Sequence, residues 1–262
     1  MESDPRKWIA TLRNSHERLV SLVRPLSPAQ LREQSYCSDW TVAQVLSHLG
    51  SGAEIGLLML PGALGTAEPA GREAFPPIWD AWNAKSPDDQ AADALAADAR
   101  QLAALEALSD DELAAIKFEF FGMELDSVGL IRLRLGEHAL HTWDLETFTD
   151  PSAAVAADAT ELLIDNVPQF LAPRLGRPQE EPFSVRIRTT DPARDYLLTA
   201  ADAVSMTDWP GDGGADGVRQ VSMPAEALLR LSYGRMDPGH TPAGVQGEPG
   251  DLATLRKIFP GF

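Results

Sequence analysis

The chain has 262 residues, enough for one large domain or two modest ones, and its composition, 44% hydrophobic and 23% charged, is that of an ordinary globular protein. Its 22 basic and 39 acidic residues give a formal net charge of −17. A surface this acidic repels phosphate backbones and anionic lipids, so we expect neither nucleic acid nor a membrane surface as a partner.

The compartment is indicated by the cysteine content and by the N-terminal segment. Cys37 is the single cysteine, which rules out an internal disulfide or a thiolate metal cluster and fits a reducing compartment. The N-terminal residues are charged throughout, unlike the apolar core of a signal peptide, and no stretch has the length and apolarity to span a bilayer. We therefore expect a cytoplasmic protein, whose oligomeric state the sequence does not determine.

Helices with clear start signals are predicted for the first part of the chain. Apolar residues recur near helical spacing over residues 5–23. Ser27 followed by Pro28 predicts the start of another helix, since Ser favours the N-cap and proline the first helical position. Thr41 and Gln44 have capping-box spacing, so a helix should begin at Thr41.

Further helices follow before a change of pattern. One is predicted after Ser86, through an alanine-rich stretch of strong helix formers. Ser109 and Glu112 repeat the capping-box spacing for a short helix, and Asp126 is the predicted cap of a long helix over residues 127–148. Four main helices joined by loops are typical of a helical bundle.

The second part of the chain has a mixed pattern. A bridging helix is predicted over residues 151–171. Period-two alternation and β-forming residues then predict strands, and a helix should begin at Pro224. The predicted strands cover 183–190, 194–202 and 203–209, and a last helix follows Gly250-Asp251 and ends at Phe259-Pro260. We therefore predict two domains, a helical bundle over residues 1–150 and a small α+β domain over residues 151–262.

The segment Glu137-His138-Ala139-Leu140-His141 is the strongest local indication of a binding site. Side chains four residues apart share a helix face, so Glu137 and His141 can bind one ion, whereas His138 points about a quarter-turn away and is the weaker candidate. His48 lies among apolar residues on the earlier helix, and it completes a set of two imidazoles and one carboxylate if the helices are neighbours. Three protein ligands leave a coordination position for water or substrate, as catalytic sites require. Two simpler interpretations stay open: such Glu–His pairs are common on solvated helix faces, and His48 could be a core histidine.

Two distant segments and the C-terminal tail together resemble one family. Residues 39–49 (DWTVAQVLSHL) and 137–145 (EHALHTWDL) resemble, in order and spacing, the mycothiol-dependent maleylpyruvate isomerase family of the DinB superfamily of metal-binding helical bundles. Residues 228–236 (LLRLSYGRM) and 250–262 are similar to the family's C-terminal part, so the resemblance covers nearly the whole chain. It implies a DinB-like four-helix bundle followed by a small, sterol-carrier-like α+β domain.

The resemblance also implies roles for particular residues. His48, Glu137 and His141 would bind zinc or another divalent ion. Asp144 would orient a ligand histidine, as carboxylates behind metal-bound imidazoles do; the alternative is a surface carboxylate. Arg235 would be catalytic and bind the thiol cofactor, and its alternative role is that of a cation at a helix C-terminus. Arg72 is only a weak candidate for the family's other arginine. Trp40 and Trp143 are interpreted as core anchors.

Other conspicuous residues receive simpler interpretations. Cys37 has only an acidic neighbour in sequence, so we interpret it as a small, partly buried filler rather than a nucleophile. His16 and His240 have no obvious partners and are interpreted as a surface and a loop histidine. The loop-like segment 75–84 could cover the site with Trp79 and Trp82, although a loop pinned to the bundle by these tryptophans is the simpler interpretation.

The functional hypothesis is a mycothiol-dependent thiol transferase or isomerase that acts on a small electrophilic substrate through a metal-bound thiolate. A metal with an open position can lower the pKa of a thiol and polarise a carbonyl. Two other classes remain open: a metal-dependent hydrolase that uses bound water, and a non-catalytic metal- or ligand-binding protein. Zinc suits two imidazoles and a carboxylate, but iron, nickel and manganese can occupy the same set.

Overall fold

The computed structural model describes residues 4–120, 122–211 and 217–261. The chain separates into two compact units that divide between Asp150 and Pro151. Within the described ranges, none of the helices combines the length and the apolarity needed to cross a membrane.

Helices and one short hairpin form the N-terminal unit. The helices are α1 (Pro5–Val23), α2 (Val42–Ala63), α3 (Phe75–Asn83), α4 (Pro87–Ala107), α5 (Asp110–Ala115) and α6 (Ser127–Glu146). The antiparallel hairpin between α5 and α6 consists of β1 (Phe118–Phe120) and β2 (Met123–Leu125).

Side-chain caps begin the helices where the sequence predicts them. The Asp4 side chain accepts a hydrogen bond from the backbone of α1, and Thr41 forms a capping box with Gln44 at the start of α2. The Ser86 and Asp126 side chains each accept a hydrogen bond from a backbone N–H in the first turn of α4 and of α6. These caps satisfy backbone N–H groups that have no partner inside the helix, which is why the boundaries could be predicted closely.

The four long helices form the bundle. Helix α2 packs mainly against α4, and α1 mainly against α6, while contacts of α1 with α4 and of α2 with α6 complete the arrangement. The apolar core includes side chains from all of them, among them Leu19, Leu46, Leu49, Ala94 and Leu145. Helix α6 is buried on most of its circumference, so polar residues on it must find partners inside the protein.

The C-terminal unit combines a sheet with short helices. Its helices are α7 (Ala157–Leu163), α8 (Ala172–Leu175), α9 (Ala225–Ser232) and α10 (Pro249–Ile258). Its strands are β3 (Phe183–Thr190), β4 (Arg194–Ala200), β5 (Val204–Asp208) and β6 (Arg219–Pro224), in the order β5-β4-β3-β6. The β3–β4 and β4–β5 pairs are antiparallel, whereas β6 is parallel to β3. The predicted fold class, a helical bundle followed by a small α+β fold, is confirmed.

Several element predictions were wrong. The helix expected after Ser27 is only a 3-10 turn at Gln30–Arg32, after which the chain becomes extended at Glu33. The single helix expected over 151–171 begins at Ala157 and gives way to a π-helical turn at Val167–Leu171. Pro168 in this turn has no N–H to donate, so the regular α-helical hydrogen bonding cannot continue through it.

Helix α3, strand β6 and the hairpin of β1 and β2 were missed. Segment 75–84 was predicted as a loop, but most of it is the helix α3, whose first turn holds two prolines where no backbone N–H is needed. Strand β6 begins with polar residues and ends at Pro224, so its sequence lacks a strong strand pattern. It lies at the edge of the sheet, where proline is tolerated.

Candidate metal centre

The three predicted metal ligands come together between α2 and α6. His48 lies on α2, and Glu137 and His141 lie one turn apart on α6. Glu137 Oε2 is 2.9 Å from His48 Nε2 and 3.6 Å from His141 Nε2, and the two imidazole centroids are 4.8 Å apart. One donor atom from each side chain fits within a span of 4.8 Å. The i,i+4 spacing on α6 and the packing of α2 against α6 together produce this convergence.

The cluster is open on one side and closed on the other. The His48 and Glu137 side chains are 37% and 50% exposed, whereas the His141 side chain is only 10% exposed. The Trp40 ring packs against both imidazoles, with centroid separations of 5.1 Å to His48 and 6.0 Å to His141. A ligand can therefore reach the cluster from solvent, while Trp40 shields part of it from water.

Asp144 holds the inner side of His141. Its fully buried carboxylate Oδ2 lies 2.8 Å from His141 Nδ1, and the Cys37 thiol donates to the same oxygen at 3.2 Å. With Nδ1 bonded to Asp144, Nε2 is the ring nitrogen that faces Glu137. Orientation of an imidazole by a carboxylate behind it is the usual arrangement at protein metal sites.

The electrostatics of the cluster favour a positive charge. Partial desolvation acts to raise the pKa of Glu137, but hydrogen bonds to His141 and His48 outweigh it and lower that pKa below its usual range. Burial acts to lower the pKa of His141, but Asp144, Cys37 and Glu137 outweigh it and raise the pKa to about 10. The surroundings thus stabilise a cation at His141 Nε2, where a divalent ion would replace the proton.

The residues present fit a divalent metal. Two imidazoles and one carboxylate form a donor set suited to zinc and to other first-row ions. The three side chains converge on one region, Asp144 supplies the supporting hydrogen bond, and the exposed side leaves room for a further ligand.

Three residues have partners in the structure that the sequence did not indicate: His16, His240 and Cys37. His16 has a partner, since its Nδ1 lies 2.5 Å from Asp98 Oδ2, and it is only partly exposed. His240 Nδ1 pairs with Asp237 at 2.8 Å. Cys37 has more than an acidic sequence neighbour, because tertiary packing brings it to Asp144 and next to His141.

The remaining candidates take distinct positions. Trp143 is 1% exposed and packs edge-on against Tyr36, as a core anchor should. Arg72 is exposed at the start of a 3-10 turn. Arg235, in the C-terminal unit, is 9% exposed; its guanidinium donates to the Tyr233 carbonyl and lies over the Tyr233 ring. The Arg235 side chain is therefore fixed by contacts within the protein and is not a solvated cation at the end of a helix.

One side chain of the aromatic helix α3, that of Trp82, belongs to the bundle core. Trp82 is 1% exposed, and its indole N–H donates to Glu54 at 2.8 Å. Its ring fills the space beside Gly50, where an added Cβ would meet it at 2.2 Å. Trp79 is 43% exposed. Trp82 thus pins the segment to the bundle.

Sequence reasoning missed Asp98 and Arg134. Both are buried on the bundle's inner faces, where Arg134 donates to Asp98 at 2.7 Å. One signal could have found Asp98: it follows Ala91 and Ala94 on the apolar stripe of α4 at helical spacing, a position where a carboxylate needs partners.

The fold and the cluster together define a helical-bundle protein with a candidate metal site on two of its helices. Residues 12–146, more than half of the chain, match the family described as mycothiol maleylpyruvate isomerase N-terminal domain. The chain belongs to this family. Comparison with curated protein sequences gives no significant match.

Solved structures support the fold over almost the whole length. The crystal structure of a mycothiol-dependent maleylpyruvate isomerase is 17% identical, with a TM-score of 0.67 and 94% of each chain covered. A histidine-to-alanine mutant of that isomerase gives the same values. YfiT from Bacillus subtilis, described as a probable metal-dependent hydrolase with an unusual four-helix bundle topology, is 22% identical; the match covers 62% of this chain and 87% of that chain. Its TM-score of 0.38 is too low to support an argument.

Proposed function

We propose that the protein is a metal- and mycothiol-dependent isomerase or S-transferase that acts on a small electrophilic substrate. The N-terminal domain, residues 1–150, would hold one divalent ion, zinc first among the candidates, through His48, Glu137 and His141. The observation that supports this most directly is the convergence of these side chains at an accessible point, with Asp144 behind His141. Membership of the isomerase family supports the thiol as cofactor.

The bound groups would supply the reactive chemistry. A divalent ion with an open position lowers the pKa of a thiol and polarises a carbonyl oxygen, so the external thiol provides the nucleophile. The product distinguishes the two reactions: release of the thiol gives isomerisation, whereas its retention gives S-transfer. Cys37 is not needed as a nucleophile, since its thiol is engaged with the buried Asp144.

The protein's own residues prepare the site. Asp144 would keep the proton of His141 on Nδ1 and thereby present Nε2 as a ligand. Trp40 would form an apolar wall beside both imidazoles, and exclusion of water strengthens the electrostatic interactions there. Glu137 contributes the negative charge that offsets part of the charge of the ion.

Arg235 is proposed to bind the polar end of the thiol cofactor, in a second domain over residues 151–262. The family resemblance supports this assignment. The hydrogen bond to the Tyr233 carbonyl and the stacking on its ring would limit the motion of the guanidinium, which reduces the entropy lost when it binds a ligand.

Metal analysis tests the ligand set. We expect near-stoichiometric divalent metal in the purified wild-type protein, measured by mass spectrometry, and loss of it in His48→Ala and Glu137→Gln. His240→Ala is the matched control, because it removes a histidine that pairs with Asp237 in the other unit. A wild-type protein that cannot be loaded with any divalent ion would contradict the proposed site.

Titration with mycothiol by calorimetry tests the cofactor. Binding should require the metal and should weaken in Arg235→Ala, while the metal content of that variant stays normal. If metal is present but mycothiol does not bind, and small esters or amides are hydrolysed without thiol, the bound-water hydrolase replaces this proposal. Metal that stabilises the fold, with neither thiol binding nor turnover, would favour a non-catalytic role.

A further inference from the structure

A second polar cluster lies inside the bundle and centres on Asp98. Its Oδ2 is 2.5 Å from His16 Nδ1 and 2.9 Å from His138 Nε2, and its Oδ1 accepts a hydrogen bond from Arg134 at 2.7 Å. The Asp98 and His138 side chains are 3% and 0% exposed. The cluster therefore ties α1, α4 and α6 together at one buried carboxylate.

The Asp98 carboxylate is paired in charge with Arg134 and has hydrogen-bond partners on both oxygens, whereas Arg134 Nε has no hydrogen-bond partner among the described residues. Desolvation acts to raise the pKa of Asp98, but His138, His16 and Arg134 outweigh it and keep the pKa well below the usual range. The carboxylate is thus paired with the Arg134 guanidinium, and Ser15 Oγ lies 2.7 Å from His138 Nδ1. A divalent cation among His16, Asp98 and His138 would place added charge beside Arg134 in a buried region, so these residues suit a structural network better than a second metal site.

The network shares helix α6 with the candidate metal centre. Arg134, Glu137, His138 and His141 follow one another at intervals of three, one and three residues, so they lie along one side of α6. Two residues of the network, Arg134 and His138, thus lie on either side of Glu137 along this helix.

Arg134 also contacts α2. A Cβ added to Gly52, four residues after His48, would lie 3.2 Å from the Arg134 guanidinium. Gly52 therefore faces Arg134 just as His48 faces Glu137, and the guanidinium lies close to the α2 backbone at Gly52. One turn away from the metal centre, the approach of Gly52 to Arg134 fits the same register of α2 against α6 as the approach of His48 to Glu137.

We propose that Asp98 is a positioning residue for the metal centre, because it fixes the rotation and the height of α6 so that Glu137 and His141 face His48. The next helical register would turn α6 by about 100° and leave the Asp98 carboxylate buried without its partners, an arrangement that is strongly disfavoured. Buried polar networks that set one register are the best-attested use of such groups. The inference uses the proposed metal site but can fail or hold independently of it.

The test compares Asp98→Asn with Glu106→Gln. Glu106 is the matched control because it lies on the same helix and forms an ion pair with Arg13 of α1 at the surface. We expect zinc affinity to fall roughly tenfold or more in Asp98→Asn, the lower range for outer-sphere partners, and to stay within about twofold in Glu106→Gln. The visible spectrum of the cobalt-loaded protein, which reports coordination geometry, should change only in Asp98→Asn.

A double variant separates positioning from stability. Asp98→Asn with Arg134→Met removes both buried charges, so its thermal unfolding temperature should recover relative to Asp98→Asn alone. Its zinc affinity should nevertheless stay low, because the tie among the helices is still missing. Recovery of affinity together with stability would overturn the positioning role, as would unchanged affinity in a folded Asp98→Asn protein.

Two further outcomes are decisive. Two equivalents of zinc on the wild type, falling to one in Asp98→Asn, would show that the network is itself a cation site and would overturn the inference. If the wild type binds no metal, the proposed function fails, and the imidazole ¹⁵N shifts of His48 and His141 then report their contacts with Glu137. Those shifts should change in Asp98→Asn and persist in Glu106→Gln, whereas equal spectra would overturn the inference.

Discussion

The hydrogen bond between Asp144 and His141 predicts a specific pH dependence of metal binding. In the metal-free protein the pKa of His141 is raised to about 10, so a proton occupies the imidazole at neutral pH. A metal that binds Nε2 must displace this proton. At pH 7 the competition between proton and metal weakens the apparent affinity roughly 1,000-fold, or about 4 kcal/mol. This penalty becomes about tenfold smaller for each unit by which the pH rises towards the pKa.

The substitution Asp144→Asn should abolish this dependence. It removes the first of the interactions that raise the pKa of His141, which should return towards its ordinary value of about 6.5 or lower. Between pH 6.5 and pH 8.5 the zinc affinity of the wild type should therefore rise about 100-fold, and that of the variant only about twofold. After correction for this proton competition, the intrinsic zinc affinity of the variant should be lower than that of the wild type by about 10- to 100-fold, because its imidazole is less well oriented.

Competition with a chromophoric chelator of known pH dependence measures these affinities. Glu146→Gln is the control, since this carboxylate lies on the same helix and pairs with Arg18 at the surface; it should retain the wild-type slope. A flat profile in the wild type would refute the idea that the metal displaces a proton from His141. Equal slopes in wild type and Asp144→Asn would refute the role of Asp144.

The same shift sets the sign of a stability change. Because the folded-state pKa of His141 is raised, its stabilising contribution is complete below the unfolded value of about 6.5 and is lost as the pH rises through about 10. The metal-free wild type should thus lose stability in chemical denaturation between pH 7 and pH 10, and a pH-independent result would contradict this. Gly50→Ala should destabilise the bundle by about 1–3 kcal/mol, since the new methyl group overlaps Trp82; an unchanged unfolding temperature would contradict the packing. Thr41→Ala should cost about 1 kcal/mol through loss of the capping box, and Thr41→Ser, which keeps the hydroxyl, is the control in the same denaturant titration. Gly234→Ala should destabilise the C-terminal unit, because φ is +73° there and the added Cβ would lie 2.4 Å from the Gly261 backbone; thermal unfolding that matches the wild type would exclude this close approach.

Local signals in the sequence were enough to predict the main helices. Side-chain caps such as Thr41, Ser86 and Asp126 act within three residues of the helix start, so they are visible without tertiary information. The same holds for Glu137 and His141, whose common face follows from helix geometry. Elements with weak or misleading local patterns, such as helix α3 and strand β6, were missed because packing and sheet pairing stabilise them.

Only the tertiary structure decided which residues of distant segments meet. The approach of His48 to Glu137 depends on the register of α2 against α6, and Cys37 reaches Asp144 across 107 positions of sequence. His16 and His138 have no sequence feature that indicates their common partner, Asp98, because long-range hydrogen bonds leave no periodic pattern. The sequence by itself determined the helices, their caps and the ligand types. The network that holds α6 in place emerged only when buried polar groups had to find partners across the bundle, since burial makes an unpaired charge costly whatever its position in the chain.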